Sequence, residues 1–563
     1  MIYQIDKAKN GKAVLRTSLT GKALLFHPLL NKSNAFSAAE RDTLRLIGKL
    51  PPVEESLETQ TQRAYKQYLG CHSDEAKSIY LHALYNTNET LFYAVITQYI
   101  DEVTAKLYTP TVSTTVQQYS LQYRHPRGIF ISYDDAEHID TILMNRTNPE
   151  LDMVVISDGE AILGIGDQGL GGMGIPVAKA AMHVAAGTIS PYKIAPVFID
   201  VGTNKTELHN DPLYLGLRQN RLAGEDYQAF MTKVISALYE KFPNIVVHFE
   251  DFSKVNARWL MEAFGHKPCF NDDIQGTAII VLAAIMAALH EKRETIDQQR
   301  ILLAGPGAAG MGIIETINTY LQAHLPTGSH ASDAIWLIGR DGLIMEDSSD
   351  PALKPYAKSK EQVSDWVDRS ILTTVNNVKP TILIGVTGQS NLFNSDVIDA
   401  LCEHCDAPIL LPLSNPSEKS ECVPREVLES TEQTIHIASG SPFTCERDGQ
   451  IVSVSQCNNI FAFPGLAAGL VACGAQSLSQ PMIIAASEAI AGFTTKKYAG
   501  SGKITPELID LKTVSQVVST AIIRAAVSDQ QATYSLDESM KRQQQNNWEP
   551  HYMDYHYDPS LSK

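Results

Sequence analysis

Arg300-Ile-Leu-Leu-Ala-Gly305-Pro-Gly307-Ala-Ala-Gly310-Met-Gly-Ile-Ile-Glu-Thr-Ile-Asn-Thr-Tyr320 is the stretch that decides the fold. The apolar run before Gly305 reads as a buried strand, Gly305-x-Gly307-x-x-Gly310 as a turn, and 311–324 as a helix. In a dinucleotide loop the first glycine permits the tight turn, the second lets a pyrophosphate approach the backbone, and the third allows close helix–strand packing. The helix N-terminus then faces the phosphates. An ordinary strand–turn–helix connection is the alternative.

Working outward, 333–338, 380–385 and 408–412 read as further strands of the same block, preceded by an apolar helix over 277–290. Upstream, 128–132, 153–157, 195–200 and 245–249 are short apolar runs closed by turn residues, with helical stretches between them. Strands alternating with helices predict α/β architecture on parallel sheets. Residues 1–126 read as mostly helical, with helices over 41–50, 59–68, 73–85 and 91–107. The polar stretch from 535 is expected to pack on a neighbouring surface rather than form a core.

Composition narrows the functions. The 563 residues suggest roughly three to four domains at ~150 residues each. With 44% hydrophobic and 19% charged residues the chain is globular rather than disordered. A net charge of −17 repels phosphate backbones and anionic membranes, which excludes nucleic acid as a first partner and demands local cations or a metal for any anionic substrate. The apolar run 278–289 is short for a membrane span, and MIYQIDKAKNGK lacks the pattern of a secretory signal. Eight scattered cysteines fit a reduced, cytoplasmic protein without disulfides. Cys402-x-x-Cys405 reads as a helix end or as a lone metal or redox pair.

Two acidic pairs stand out, Glu250-Asp251 after a strand and Asp272-Asp273 before a helix. Adjacent carboxylates repel unless solvated or bridged by a cation, and oxygen donors without His or Cys suit Mg²⁺ or Mn²⁺. Helix capping by Asp272 or Asp273 would need no metal. After 333–338 the ribose-binding acid expected of a dinucleotide fold is replaced by Gly339, followed by Arg340 and Asp341. Arg340 would accommodate a 2′-phosphate and favour NADP, or else Asp341 reaches the ribose. Tyr108 before a proline turn, and Lys179 after a segment dense in glycine, read equally as site residues or structural ones.

Taken together, YTPTV (108–112), RHPRG (124–128), SDGEAILGIGDQGLGGMGIPVAK (157–179), DVGTN (200–204), NDPLYLGLR (210–218), FEDF (249–252), FNDDIQGTA (270–278), LSNPS (413–417) and CNNIFAFPG (457–465) follow the order seen in malic enzymes. The chain resembles that family over nearly its whole length, most of all the large bacterial NAD-dependent enzymes. The resemblance implies oxidative decarboxylation of (S)-malate to pyruvate and CO₂ with reduction of NAD or NADP, and decarboxylation of oxaloacetate. It makes Glu250, Asp251 and Asp273 the ligands of Mg²⁺ or Mn²⁺, Lys179 the general base and Tyr108 the general acid, with Asp272 beside the lysine. Asn415, Asn458 and Asn459 would contact substrate or nicotinamide, and Gly305, Gly307, Gly310, Arg340 and Asp273 the cofactor side. It further implies a homotetramer built from dimers. The domain layout expected is a helical domain (1–126), a central α/β domain (127–273 with 459–534), a Rossmann-type domain (274–458) and a tail (535–563), with the active cleft between the α/β units.

Chelation of malate through its C1 carboxylate and C2 hydroxyl would lower the hydroxyl's pKa, so a neutral buried lysine can take that proton as hydride leaves C2. Two residues depart from the family. Ala161 stands where an arginine usually clamps a substrate carboxylate, and Gly339 where an acid holds the ribose. Arg124 and Arg127 are candidates to replace the first. Malolactic enzymes, which convert malate to lactate with bound NAD, also carry a small residue at the position of Ala161. Thr109 and Met173-Gly-Ile-Pro176 favour malic enzyme instead. A non-catalytic nucleotide sensor would have no use for Lys179, Tyr108 and three metal carboxylates together.

Overall fold

The computed structural model describes residues 2–7, 13–108, 112–146, 150–162, 164–447 and 450–562. Strands and helices divide into two compact units, one formed by Met1–Asp158, Gln168–Ile245 and Gln545–Lys563, the other by Gly159–Asp167 and Val246–Gln544.

The first unit opens not with a helix but with an antiparallel hairpin, Tyr3–Lys7 with Ala13–Thr17, to which Asp554–Tyr557 adds in parallel. The tail therefore does enter a core, contrary to the expectation from its polar composition. Met553 and Tyr555 are buried with Tyr3, Leu15, Leu24, Leu30 and Phe36. The junction is tied by Lys32, whose buried ammonium donates to both Glu40 oxygens (2.7 and 2.8 Å) and to the Met553 carbonyl (3.1 Å). Helices Leu57–Leu69, Asp74–Tyr85 and Glu89–Gln98 start where Ser56, Ser73 and Asn88 accept a backbone N–H three residues on. The helix expected over 41–50 is the shorter Ala38–Thr43, and the one expected over 91–107 breaks at Tyr99. Tyr99 stacks on Tyr65 with ring centroids 3.5 Å apart, a tertiary contact that overrides helix continuity. Strands Ile129–Ser132, Ile194–Asp200 and Met153–Ser157 pair in parallel in that order.

In the second unit Val246–Phe249 pairs in parallel with Cys269–Asn271. A separate sheet runs Gly342–Leu343, Ile335–Gly339, Ile301–Ala304, Ile382–Gly385, Ile409–Pro412, His436–Ser439, Ser455–Gln456. The order doubles outward from Ile301–Ala304, as in a Rossmann sheet, with its switch point beside Ile382–Gly385. One outer position is taken by the short antiparallel Gly342–Leu343. The strand expected over 333–338 starts at Ile335 because Ala331–Ala334 winds as a 3₁₀ turn. Strand His436–Ser439, with only Ile437 and Ala438 apolar, and the two-residue Ser455–Gln456 carry no apolar run that the sequence pattern could show.

The apolar run 278–289 belongs to a longer helical stretch, Asp272–Lys292, whose 21 residues are long and apolar enough to cross a membrane by length and composition. Two thirds of its most apolar 18-residue window is buried, and the stretch packs against Ala308–His324 and Gln480–Lys497, which accounts for an apolar circumference in a helix at the core. All eight cysteines are free thiols, and Cys402 and Cys405 close the helix Ser395–His404.

Candidate active site

The glycine loop leaves Ile301–Ala304 and enters the helix Ala308–His324. Gly305 has φ +95°, and a Cβ there would lie 2.6 Å from the Val386 carbonyl, so the turn requires glycine. A Cβ at Gly310 would lie 2.3 Å from the Gly305 carbonyl, which is the close helix–strand contact. Gly307 differs: nothing lies within 4 Å of where its Cβ would be. The first and third glycines serve the protein's own packing, and the second faces open space suited to a pyrophosphate. Arg340 and Asp341 are exposed at the turn between Ile335–Gly339 and Gly342–Leu343.

Glu250 and Asp251 follow the strand Val246–Phe249 directly and are buried, 4% and 5% exposed. Asp273 joins them, and one carboxylate oxygen from each of Glu250, Asp251 and Asp273 lies within 4.8 Å of the others. Two oxygens across one ion at ~2.1 Å stand about 4.2 Å apart, so a small closure would bring all three onto one Mg²⁺ or Mn²⁺. The donors are oxygen alone, which fits a hard cation. Asp251 holds φ +58°, a left-handed conformation uncommon outside glycine, and its N–H donates to Asp273 Oδ2 at 2.8 Å. Neither aspartate caps the following helix. Asn271 does, accepting the Ile274 N–H at 3.0 Å.

Asp272 to Gly276 winds as one π-helical turn, a rare form that clusters at functional sites. Gly276 makes room for Asp272, since a Cβ there would fall 1.7 Å from Asp272 Oδ1. Asn459 flanks the same turn, its Cβ 3.6 Å from that position. The helix Ala308–His324 packs onto the turn through Gly312, where a Cβ would meet Ile274 Cγ2 at 2.6 Å.

The segment 159–167 links the carboxylates to Asn415. The Ala161 N–H donates to the Asp251 carbonyl at 3.0 Å, and Gly164 lies against Pro416, where a Cβ would come within 2.5 Å of Cδ. An arginine at 161 would thus spring from backbone tied to one of the three clustered carboxylate residues. Asn415 Oδ1 accepts from Ser441 Oγ, and Asn458 Oδ1 caps the turn Asn459–Phe461 through the Ile460 N–H at 3.0 Å. Burial pushes the neighbouring Cys457 thiol up to about 12, so it stays protonated at neutral pH.

In the first unit, Lys179 is 2% exposed on Gly174–Ala185, a helix with every residue buried. Its Nζ lies 5.4 Å from the centroid of the Tyr108 ring, so these two residues share one site. Tyr108 closes the helix Ile100–Leu107, its N–H donating to the Thr104 carbonyl at 2.8 Å. Thr109 lies outside the described residues. Glycines 171 and 174 bring the backbone against Val116, with hypothetical Cβ distances of 2.6 and 2.9 Å, so that part of the glycine-dense segment serves packing. Arg127 does not replace the missing arginine. Its guanidinium bonds the Tyr85 carbonyl (2.7 Å), Asn86 (3.2 Å) and Glu89 (3.0 Å) and stacks on the Tyr85 ring, while Arg124 is exposed.

Two residues escaped the sequence. His248 Nε2 lies 2.9 Å from Glu250 Oε2, and its one signal was the two-residue spacing that puts both on one strand face. Glu421 is fully buried and accepts from Thr387 N (2.7 Å), Thr387 Oγ1 (2.8 Å) and Ser414 Oγ (2.6 Å), pinning the loop before Asn415. Nothing local in the sequence marks it.

Comparison with known proteins agrees along the chain. The sequence model described as malic enzyme, N-terminal domain, matches residues 85–265, and that described as malic enzyme, NAD binding domain, matches 274–527. An NAD-dependent malic enzyme of Acinetobacter baylyi is 40% identical over 560 residues, covering 98% of this chain and 99% of its own. One from Escherichia coli K12 is 39% identical over 546 residues, covering 95% and 96%. Among solved structures, the Entamoeba histolytica malic enzyme superposes with TM-score 0.55 at 18% identity, covering 90% of this chain and 91% of its own. The Pyrococcus horikoshii malic enzyme gives 0.52 at 19%, covering 79% and 89%. These two support the fold. By two adjoining domain matches and identity near 40% over almost its full length, the chain belongs to the malic enzyme family.

Proposed function

We propose that this chain catalyses the oxidative decarboxylation of (S)-malate to pyruvate and CO₂ with reduction of NAD, and that it also decarboxylates oxaloacetate. The observation that carries this is the carboxylate trio at the π-turn, Glu250 and Asp251 buried and Asp273 half-buried, in a chain so similar to proteins named NAD-dependent malic enzymes. Glu250, Asp251 and Asp273 hold a divalent ion, and Gly305, Gly307 and Gly310 receive the dinucleotide. When bound, the ion supplies Lewis-acid polarisation of the C2 oxygen and the nicotinamide accepts hydride. Lys179 takes the proton of the C2 hydroxyl. After C4 departs as CO₂, Tyr108 gives a proton to C3 of the pyruvate enolate. Asp272 belongs to the same catalytic set, and Asn415, Asn458 and Asn459 orient malate and the nicotinamide amide. The enzyme is a cytoplasmic homotetramer, a dimer of dimers. For its domain layout we propose 1–126, 127–273 with 459–534, 274–458, and 535–563.

Absorbance at 340 nm with malate and Mn²⁺, comparing NAD⁺ with NADP⁺, tests the proposal. Reduced NAD with equimolar pyruvate is expected. Faster NADP⁺ reduction would give Arg340 the 2′-phosphate. Lactate without net reduction would make the chain malolactic, the outcome that Ala161 favours.

Two variants sharpen it. Ala161→Arg restores the charge that clamps a carboxylate in relatives, so KM for malate falls by roughly tenfold, equivalent to ~1.4 kcal/mol; an unchanged KM would refute a role for position 161. Gly307→Ala places a methyl in open space at φ −79°, which alanine adopts freely. Stability therefore holds or rises by ~0.4–1 kcal/mol, while KM for NAD rises roughly tenfold or more because the pyrophosphate loses its approach. Thermal unfolding and steady-state kinetics separate the two effects, and an unaltered KM would remove the dinucleotide from this loop.

A further inference from the structure

Resting on the assignment of Glu250, Asp251 and Asp273 to a divalent ion, we propose that His248 is a positioning residue for that ion. Its ring N–H fixes the Glu250 carboxylate in the orientation that accepts metal and stands between Glu250 and Asp272.

His248 is fully buried in the strand Val246–Phe249, two residues before Glu250 and on the same face. Its Nε2 lies 2.9 Å from Glu250 Oε2 and 4.0 Å from Asp272 Oδ2, so one nitrogen faces both carboxylates. The ring is wedged by two others, Phe270 at 4.6 Å and Phe463 at 5.6 Å between centroids. Phe270 is also its register partner on the neighbouring strand Cys269–Asn271. Packed this way the imidazole holds Nε2 toward Glu250, the nearer of the two carboxylates.

The physical need is clear from the charges. Glu250, Asp251, Asp272 and Asp273 crowd one buried region, and a divalent ion cancels only part of their charge. An N–H held at Glu250 Oε2 limits how that carboxylate can turn, so less reordering accompanies each metal-binding event. A fixed N–H stabilises the ionised form and prepays that ordering, as outer-shell partners of metal ligands commonly do. The competing explanation is that His248 merely fills volume between Phe270 and Phe463. Ring shape and N–H donation can be separated by substitution.

Mn²⁺ titration of the full-length enzyme without substrate, followed by the electron paramagnetic resonance signal of free Mn²⁺, is the test. His248→Phe keeps the ring and removes the donor, and is expected to weaken Mn²⁺ binding about 10–100-fold. His248→Gln keeps a donor near the position of Nε2 and should bind within about threefold of wild type. His248→Asn, whose shorter side chain withdraws the donor, should resemble the phenylalanine variant and serves if that variant does not fold. Thermal unfolding in EDTA reports packing independently of metal. Equal Mn²⁺ affinity in wild type and His248→Phe or His248→Asn would overturn the proposal, as would a glutamine variant no better than these. Wild-type enzyme that binds no Mn²⁺ would instead remove the metal assignment, and this inference with it.

Discussion

Exchange of Lys179 for methionine lowers kcat for malate oxidation by roughly 10²–10⁴-fold, the range over which a positioned proton acceptor accelerates a reaction. Methionine keeps an unbranched stem and loses only the amine, so the effect reports chemistry rather than collapse of the helix. Lys179 sits in a helix with every residue buried, at 2% exposure, where an amine is expensive to keep for packing alone. The melting temperature should therefore hold or rise as activity falls. That divergence is the signature of a site residue, because a structural lysine would lose both together. Turnover within threefold of wild type would assign the proton transfer elsewhere.

A comparable loss is expected from Asp273→Asn. A Lewis-acid cation contributes several kcal/mol to such a reaction, and each 1.36 kcal/mol is tenfold in rate, so kcat/KM should drop about 10³-fold with weaker Mn²⁺ binding. Asparagine preserves size, and its Oδ1 can still accept the Asp251 N–H that Asp273 now accepts at 2.8 Å. Because Asn271 rather than Asp273 caps the next helix, folding should be unaffected. Wild-type activity that survives exhaustive EDTA treatment, or a variant retaining full activity, would separate the carboxylates from catalysis.

The parts of this arrangement that the sequence displayed were local ones. A glycine turn between an apolar strand and a helix, and acidic pairs at the ends of such runs, carry their meaning within a dozen residues. The parts it concealed depend on distant partners. His248 read as one member of an apolar strand, since nothing in 245–249 reveals that Phe270 and Phe463 hold its ring. Glu421 bonds to Thr387, 34 residues earlier. The break at Tyr99 follows from stacking on Tyr65, and the choice of Asn271 over Asp272 as cap follows from the path of the preceding strand. Asp554–Tyr557 does alternate, with Met553, Tyr555 and Tyr557 at every second position, but so brief a run in a polar stretch shows its strand only once Ala13–Thr17 offers an edge.

That last pairing has a consequence for how the chain is made. Lys32 reaches the Met553 carbonyl across 521 positions of sequence, and Glu40 accepts the Tyr555 N–H across 515. During synthesis, which runs from the N-terminus, the sheet edge at Ala13–Thr17 and the buried charge of Lys32 wait uncovered until residue 557 has left the ribosome. Residues 13–17 are thus made hundreds of positions before the strand that covers them, and an exposed strand edge throughout that interval is an invitation to pair with another nascent chain.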